Sequence, residues 1–299
     1  MRVPTSLSTV YAAVHGARLT LAAAGVASPG PDAEQLAAHV LRVDGAELHR
    51  RMILREPLDA AAWERYADLV EERARRVPLQ HLTGRAHFRH LELEVGPGVF
   101  IPRPETESVA GWAIDAVCRL LASGVSAPVV VDLCTGSGAI ALALKDELPE
   151  ADVHAVEFDP HAHAWAARNV ARLGLQIDLR LGDARAAFED LAGDVDVVVS
   201  NPPYIPADMV PLDPEVRDHD PALALYGGGT DGLAMPLAVA ARAAYLLRPG
   251  GVLVMEHADT QGQTLPAALA RTGDWLDIED RRDLTGRPVL HAPDVGPHI

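Results

Sequence analysis

"VVDLCTGSGAIALAL", residues 130–144, decides the fold. An apolar run of strand length meets Gly136-Ser137-Gly138, and a stretch of helical character begins directly after. Missing side chains in such a turn let a ligand approach the backbone at a helix N-terminus. The spacing Gly136-x-Gly138-x-x-Ala141 also fits the dinucleotide-binding fingerprint, which is weak by itself. Outward from this turn, strands and helices alternate from about residue 104. "APVVVDL" (127–133), "DVHAVE" (152–157), "IDLRLG" (177–182), "VDVVVSN" (195–201) and "GVLVMEH" (251–257) read as strands. "AIALALKDEL", "HAHAWAARNVARLG" and "ARAAFEDL" follow the first three as helices, and "LAMPLAVAARAAYLL" precedes the fifth. Strands this rich in Val and Leu, without alternation, predict a parallel sheet covered by helices on both faces.

Residues 1–85 have a different character. "SLSTVYAAVHGARLTLAAAGV" repeats apolar positions every three or four residues (Leu7, Val10, Tyr11, Val14, Leu19, Leu21). Asp32 with Gln35 has the spacing of a capping box before "AEQLAAHVLRVDGAELHRRMIL". Asp59 opens "AAAWERYADLVEERARRV", with Trp63, Tyr66, Leu69 and Val70 on one face. A small helical bundle is expected, serving to grip a partner. In residues 86–103, "AHFRHLELEVGPGVFIPR", polar and apolar residues alternate around Gly96-Pro97-Gly98, which predicts a β-hairpin joining two domains.

The net charge of −16 is unevenly spread: residues 1–85 carry 11 Lys+Arg against 10 Asp+Glu, and residues 86–299 carry 15 against 32. Nucleic-acid affinity comes from neutralising phosphates with Lys and Arg, so an acidic later segment argues against a direct nucleic-acid partner. No apolar run approaches the ~20 residues that a membrane-spanning helix needs. Arg18 and polar residues break up any signal-peptide core near the N-terminus. The two cysteines, Cys118 and Cys134, suit neither a disulfide framework nor a metal site. A cytoplasmic protein without membrane partner or metal is expected. His161 and His163 read as surface histidines of a helix.

Two cofactors compete for the glycine turn. An oxidoreductase would hold a pyrophosphate there. A methyltransferase would hold the amino-acid end of S-adenosylmethionine, with an acid before the glycines. Asp132, four residues before Gly136, could be that acid, or could satisfy nearby backbone N–H groups. Glu157, 21 residues after Gly136 at the end of the second strand, can accept from two ribose hydroxyls of either cofactor. Asp159 reads as a helix cap. Asp183 could take an adenine amino group or cap the next helix.

"VVVSNPPYIP", 197–206, separates the two. It ends the fourth strand, on the sheet edge that carries the glycine turn, Glu157 and Asp183, where ligands of open α/β sheets bind. Pro202 and Pro203 donate no hydrogen bond and aim their carbonyls from a stiff backbone. A planar –NH2 substrate has two N–H donors; the Asn201 oxygen and the Pro202 carbonyl can take one each. That orients the nitrogen and stabilises the positive charge growing on it as a methyl arrives. Tyr204 can pack on the flat acceptor group. A dehydrogenase has no use for such a clamp, so these residues favour direct methyl transfer to nitrogen.

In these elements the chain resembles the S-adenosylmethionine-dependent N5-glutamine methyltransferases of peptide-chain release factors. The resemblance runs through "PLQHLTGRAHF" (78–88), "VFIPRPETE" (99–107), "VVDLCTGSGAIALAL", "AVEFDP", "VVVSNPPYIP", "EVRDHDPALALYGGGTDGL" (215–233) and "LLRPGGVLVMEH" (246–257). Asn-Pro-Pro-Tyr alone is shared with nucleic-acid adenine-N6 methyltransferases, and glutamine methyltransferases of a ribosomal protein look similar; "IPRPETE" is more specific. The resemblance implies a seven-stranded, doubly wound, Rossmann-like class I domain over 104–299. A helical substrate-docking domain (1–85) and a hairpin linker (86–103) precede it. It implies that Cys134, Thr135, Gly136, Ser137 and Gly138 line the methionine part of the cofactor, Glu157 the ribose, and Asp183 with Ala184 the adenine. Asn201, Pro202, Pro203 and Tyr204 would hold the acceptor glutamine of a Gly-Gly-Gln loop, with Arg103 and Glu105 nearby. The product would be S-adenosylhomocysteine. Ala184 stands where relatives often carry an aromatic, so an adenine-stacking contact is lost or supplied elsewhere. "DLTGRPVLHAPDVG" is poorer in basic residues than the family's usual close, which leaves the last strand in question. The long segment 206–232 is expected to close over the acceptor pocket.

Overall fold

β-Branched residues that are apolar on both sides of a strand can be satisfied only inside a sheet covered twice, and that is where they lie. The computed structural model describes residues 8–282, 288–292 and 294–295. Five helices come first: α1 (Val10–Ala23), α2 (Pro29–Leu41), α3 (Gly45–Ile53), α4 (Ala60–Ala74) and α5 (Leu79–Thr83). A hairpin of β1 (Arg85–Phe88) and β2 (Leu91–Glu94) follows, then α6 (Thr106–Ala122). Next come β3 (Val129–Leu133), α7 (Ala139–Glu147), β4 (Asp152–Glu157), α8 (Pro160–Leu173), β5 (Asp178–Leu181) and β6 (Val195–Ser200). The last third holds α9 (Pro214–His219), α10 (Ala222–Leu225), α11 (Ala234–Leu246), β7 (Leu247–Glu256) and α12 (Thr264–Thr272). Four short strands end it: β8 (Trp275–Leu276), β9 (Glu279–Arg282), β10 (Pro288–Ala292) and β11 (Asp294–Val295).

The main sheet has seven strands in the order β5-β4-β3-β6-β7-β10-β9, as the resemblance implies. β5, β4, β3, β6 and β7 run parallel, and β10 is antiparallel to both neighbours. Val130, Val153, Ala155, Val197 and Val199 join the core under α6 and α7. Val131, Leu133, Val156, Val198, Leu253 and Met255 face the opposite layer with α11 and α12. Each Val, Leu and Met among them contributes roughly 1.5–3 kcal/mol on leaving water. The register fixes the site: Leu133 is level with Val156 on one side and Ser200 on the other. Cys134, Glu157 and Asn201 are therefore the first residues past, or the last within, three adjacent strands at one edge. Strand order reverses between β4 and β6 around β3, the switch point at which such sheets bind ligands.

By its packing the chain forms two units, residues 1–85 with 211–219, and residues 86–210 with 220–299. The helical unit closes on Val14, Leu21, Leu36 and Tyr66, whose hydroxyl donates to the Ala33 carbonyl at 2.9 Å. Asp59 caps α4 through Ala62 N at 2.7 Å. Asp32 does not make the capping box; α2 starts earlier, at Pro29, and Asp32 is buried against Arg73 at 2.7 Å. Arg73 also meets Glu215, which Arg76 grips through a second ion pair, tying residues 211–219 to this unit. Residues 33–54 do not form one helix, because Arg42 turns left-handed (φ 53°) and Asp44 starts α3 as its cap. Tyr11 and Leu19 lie outside the core; Tyr11 is covered by the Arg55 guanidinium, 5.2 Å from its ring. Leu7 and the tail 296–299 are outside the described residues.

The other unit departs from expectation twice. The hairpin closes at Arg89-His90 rather than at Gly96–Gly98, and Arg89 (φ 51°) is held there by Glu107 and Glu147. Residues 184–191 form no α-helix, only a short 3₁₀ turn at Glu189–Leu191. Phe188 turns left-handed (φ 59°) so that its ring can pack edge-on against His154 and under Arg180. That tertiary packing outweighs the helical propensity of the alanines. No described helix is long and apolar enough to cross a membrane.

Candidate active site

Between β3 and α7 the backbone turns left-handed at Cys134 (φ 67°), Gly136 (φ 60°) and Gly138 (φ 84°). A Cβ on Gly138 would also sit 3.0 Å from the Leu142 side chain, which would have to give way. Asp132 lies beneath this loop. Its Oδ2 accepts from Thr135 Oγ1 at 2.6 Å and from Ala141 N at 3.2 Å, and Oδ1 has no hydrogen-bond partner. Complete burial raises its pKa to about 7, against those two hydrogen bonds. Glu157 braces the loop from the next strand: Oε2 accepts from Gly136 N and Oε1 from Asp159 N, both at 2.8 Å. Burial raises this carboxyl too, and the backbone donors oppose the shift. Burial also pushes the Cys134 thiol up, away from the thiolate form.

A cleft of about 440 Å³ opens over the loop. Cys134, Thr135, Gly136, Ser137, Glu157, Asp183, Ala184, Asn201 and Pro203 line it; Asp132, Gly138, Pro202, Tyr204, Arg103 and Glu105 do not. Asp183 is held by its neighbour Arg185, which donates to both carboxylate oxygens and keeps the carboxyl below its usual range. Ala184 is buried at the cleft wall, and Phe158, 56% exposed, lines the same cleft.

The Asn-Pro-Pro-Tyr segment leaves β6 toward this cleft. Ser200 Oγ anchors it on the Leu133 carbonyl at 2.5 Å. Asn201 Nδ2 donates to Thr106 Oγ1 at 3.2 Å. Pro202 is buried. Tyr204 turns inward rather than along the cleft: its hydroxyl donates to Glu256 Oε1 at 3.1 Å, and its carbonyl accepts from Gln261 Nε2 at 2.8 Å. Two glycines press on this segment. A Cβ on Gly227 would lie 2.6 Å from the Pro203 oxygen and 2.8 Å from Tyr204 Cα; one on Gly232 would lie 2.1 Å from the Tyr204 oxygen. Arg103 stacks over Phe100 (4.9 Å) and pairs with the buried Asp220 at 2.5 Å, so it frames the wall formed by residues 220–228. Glu105 immediately precedes α6.

Reading the sequence did not single out Thr106, Phe158, Gly227, Glu256 or Gln261. Thr106 and Glu256 were inside quoted stretches, but 150 residues separate two side chains that meet only when α6 and β7 converge.

A family model described as the PrmC N-terminal domain matches residues 12–84, and one described as the methyltransferase small domain matches residues 108–210. A release factor glutamine methyltransferase of Streptomyces coelicolor is 53% identical over 94% of this chain and 96% of its own length. One of Mycolicibacterium smegmatis is 49% identical over 94% and 96%. A 4-amino-L-phenylalanine/4-methylamino-L-phenylalanine methyltransferase of Streptomyces pristinaespiralis is 40% identical over 84% of this chain and 82% of its own length. With both domain models matched in order and two relatives aligned almost end to end, the chain belongs to the release factor glutamine methyltransferase family.

Proposed function

We propose that this protein transfers a methyl group from S-adenosylmethionine to the side-chain amide nitrogen of the glutamine in the Gly-Gly-Gln loop of peptide-chain release factors. The observation that carries the reading is the shared edge of three strands, which brings the glycine loop, Glu157 and Asn201 to one cleft.

The donor set fits the cofactor. Carboxylates at 157 and 183 suit hydroxyl and amino donors. In this reading Cys134 to Gly138 hold the methionine end, Glu157 the ribose, and Asp183 with Ala184 the adenine. Phe158, exposed on the cleft, offers the aromatic face that Ala184 lacks. Asp132 acts from below, by holding Thr135 and the first turn of α7. When bound, S-adenosylmethionine supplies an electrophilic methyl on a sulfonium.

The acceptor carboxamide has a delocalised lone pair, so the protein's task is to orient it and favour pyramidal nitrogen. Asn201 Oδ1 and the Pro202 carbonyl take its two N–H donors, and the proline-stiffened backbone keeps them fixed while charge grows on nitrogen. Alignment does the remainder. Tyr204 supports this segment through its hydroxyl and carbonyl rather than by covering the acceptor with its ring. The helical unit serves to dock the release factor, and such a substrate puts the enzyme in the cytoplasm. The acidity of residues 86–299 argues against adenine in nucleic acid as the acceptor.

The test is to incubate the protein with labelled methyl donor and, separately, a purified release factor, duplex DNA, or 4-amino-L-phenylalanine, then to locate the label by mass spectrometry. Label on the glutamine of the Gly-Gly-Gln loop is expected. Label on DNA or on the aryl amine alone would overturn the proposal.

A further inference from the structure

We propose that Glu256 is a positioning residue for methyl transfer: through the Thr106 hydroxyl it fixes which end of the Asn201 amide is presented to the acceptor. This rests on the glutamine methyltransferase reading and deepens it.

Glu256 ends β7, the strand beside β6, and the register puts Ser200 level with Met255, so Asn201 and Glu256 emerge side by side. Glu256 is only 4% exposed and does not line the cleft, so it cannot itself touch a substrate there. A carboxyl so deeply buried needs donors, and two segments face it, the Asn-Pro-Pro-Tyr loop and the start of α6. Tyr204 donates its hydroxyl to Oε1 at 3.1 Å. Burial raises this carboxyl to about 7, and the Thr106 hydroxyl, Tyr204 and the Asn201 amide beside it oppose the shift, so the ionised form, on which the proton arrangement depends, prevails above about pH 7. Oε2 has no hydrogen bond closed within the structure, which leaves it open to the Thr106 proton.

Proton arithmetic then decides the amide. A carboxylate only accepts, and a hydroxyl has one proton. With that proton turned to Glu256, Thr106 Oγ1 can only accept, and the amide end facing it at 3.2 Å is Nδ2. Oδ1 is thereby the end left for a ligand. Asparagine has no preference of its own between its two nearly isosteric ends; its surroundings choose. Here the choice is made by a residue that never meets the substrate. A carboxamide in place of Glu256 reverses the logic. Its N–H can donate to Thr106, whose proton then turns to the Asn201 amide and favours Oδ1 inward. The acceptor would meet an N–H where it needs an oxygen.

The experiment measures kcat, the KM for a purified release factor, and S-adenosylmethionine affinity by calorimetry in Glu256→Gln, Thr106→Val, Thr106→Ser and the double variant Glu256→Gln/Thr106→Val. Glu256→Gln and Thr106→Val should each lower kcat at least tenfold while cofactor affinity stays within about threefold, the pattern of a lost transition-state contact. Thr106→Ser, which keeps the hydroxyl, should hold kcat within about threefold. The double variant should be no slower than the worse single one, since both break one relay. Near-normal kcat in a folded Glu256→Gln, or losses that multiply in the double variant, would overturn the proposal. Should Glu256→Gln not fold, the Thr106 pair decides, because equal rates for Ser and Val refute the relay. Wild-type protein that labels no glutamine would sink the functional reading; labelling undiminished by Glu256→Gln sinks only the positioning role.

Discussion

Replacing Gly227 with alanine tests whether the Asn-Pro-Pro-Tyr backbone must be held to within a fraction of an ångström. Gly227 does not have a left-handed backbone, so the substitution adds a methyl without conformational strain. The new Cβ would lie 2.1 Å from the Gly232 oxygen, 2.6 Å from the Pro203 oxygen and 2.8 Å from Tyr204 Cα, against 3.4–4 Å for ordinary contact. All three are backbone atoms, so no side chain can swing aside. Relief requires the Pro203–Tyr204 backbone to retreat by about 1 Å, and overpacking of this kind costs about 1–3 kcal/mol. A displacement of about 1 Å in a positioning group can lower turnover ~10²-fold. The glycine loop and Glu157 lie on other strands and should keep their geometry. Gly227→Ala is therefore expected to bind S-adenosylmethionine within about threefold of wild type by calorimetry. Its kcat on a release factor should fall ~10²-fold, with Tm lower by several degrees. Turnover within about threefold of wild type, in a protein of unchanged Tm, would refute the claim that this backbone is the acceptor clamp.

Three further outcomes are expected. Asn201→Ala should leave cofactor affinity within a few-fold and cut turnover by about two orders of magnitude, the scale for one oriented electrostatic group; parallel losses of both in stopped assays and calorimetry would contradict it. Glu157→Ala removes the acceptor of both Gly136 N and Asp159 N, so its first effect should be weakened cofactor binding in a calorimetric titration. Asp132 and Glu256, both raised to about 7 by burial, hold protons in the folded state that the unfolded chain releases near pH 4. Their contribution therefore falls as pH rises from about 4.5 to 7 and is level above. The Tm of cofactor-free protein should rise between pH 8 and pH 6, and Glu256→Gln should flatten that slope; an unchanged slope would argue that Glu256 is not so perturbed.

The parallel sheet could be read from the Val-rich strands because a strand buried on both faces leaves no alternation to misread. Gly136, Gly138 and Glu157 were readable for a related reason: their spacing follows from one β-α-β unit, where sequence distance and spatial distance agree. The misreadings share the opposite property. Residues 184–191 have helical composition, yet Phe188 is drawn out of it by His154 and Arg180. Asp32 and Gln35 have capping spacing, yet Arg73, 41 positions on, claims the carboxylate. Thr106 and Glu256 could not be paired in advance, since nothing local to either marks the other.

The chain enters the helical unit twice, once at its start and again as residues 211–219, where Arg73 and Arg76 grip Glu215. Interlaced units of this kind are not beads on a string. Severing the chain at residue 85 would strand Glu215 without its cations, on an excursion that begins at Pro211, only seven residues past Tyr204. Exchange of the N-terminal portion between relatives therefore has to carry the matching excursion with it, and the two stretches should be inherited as one module.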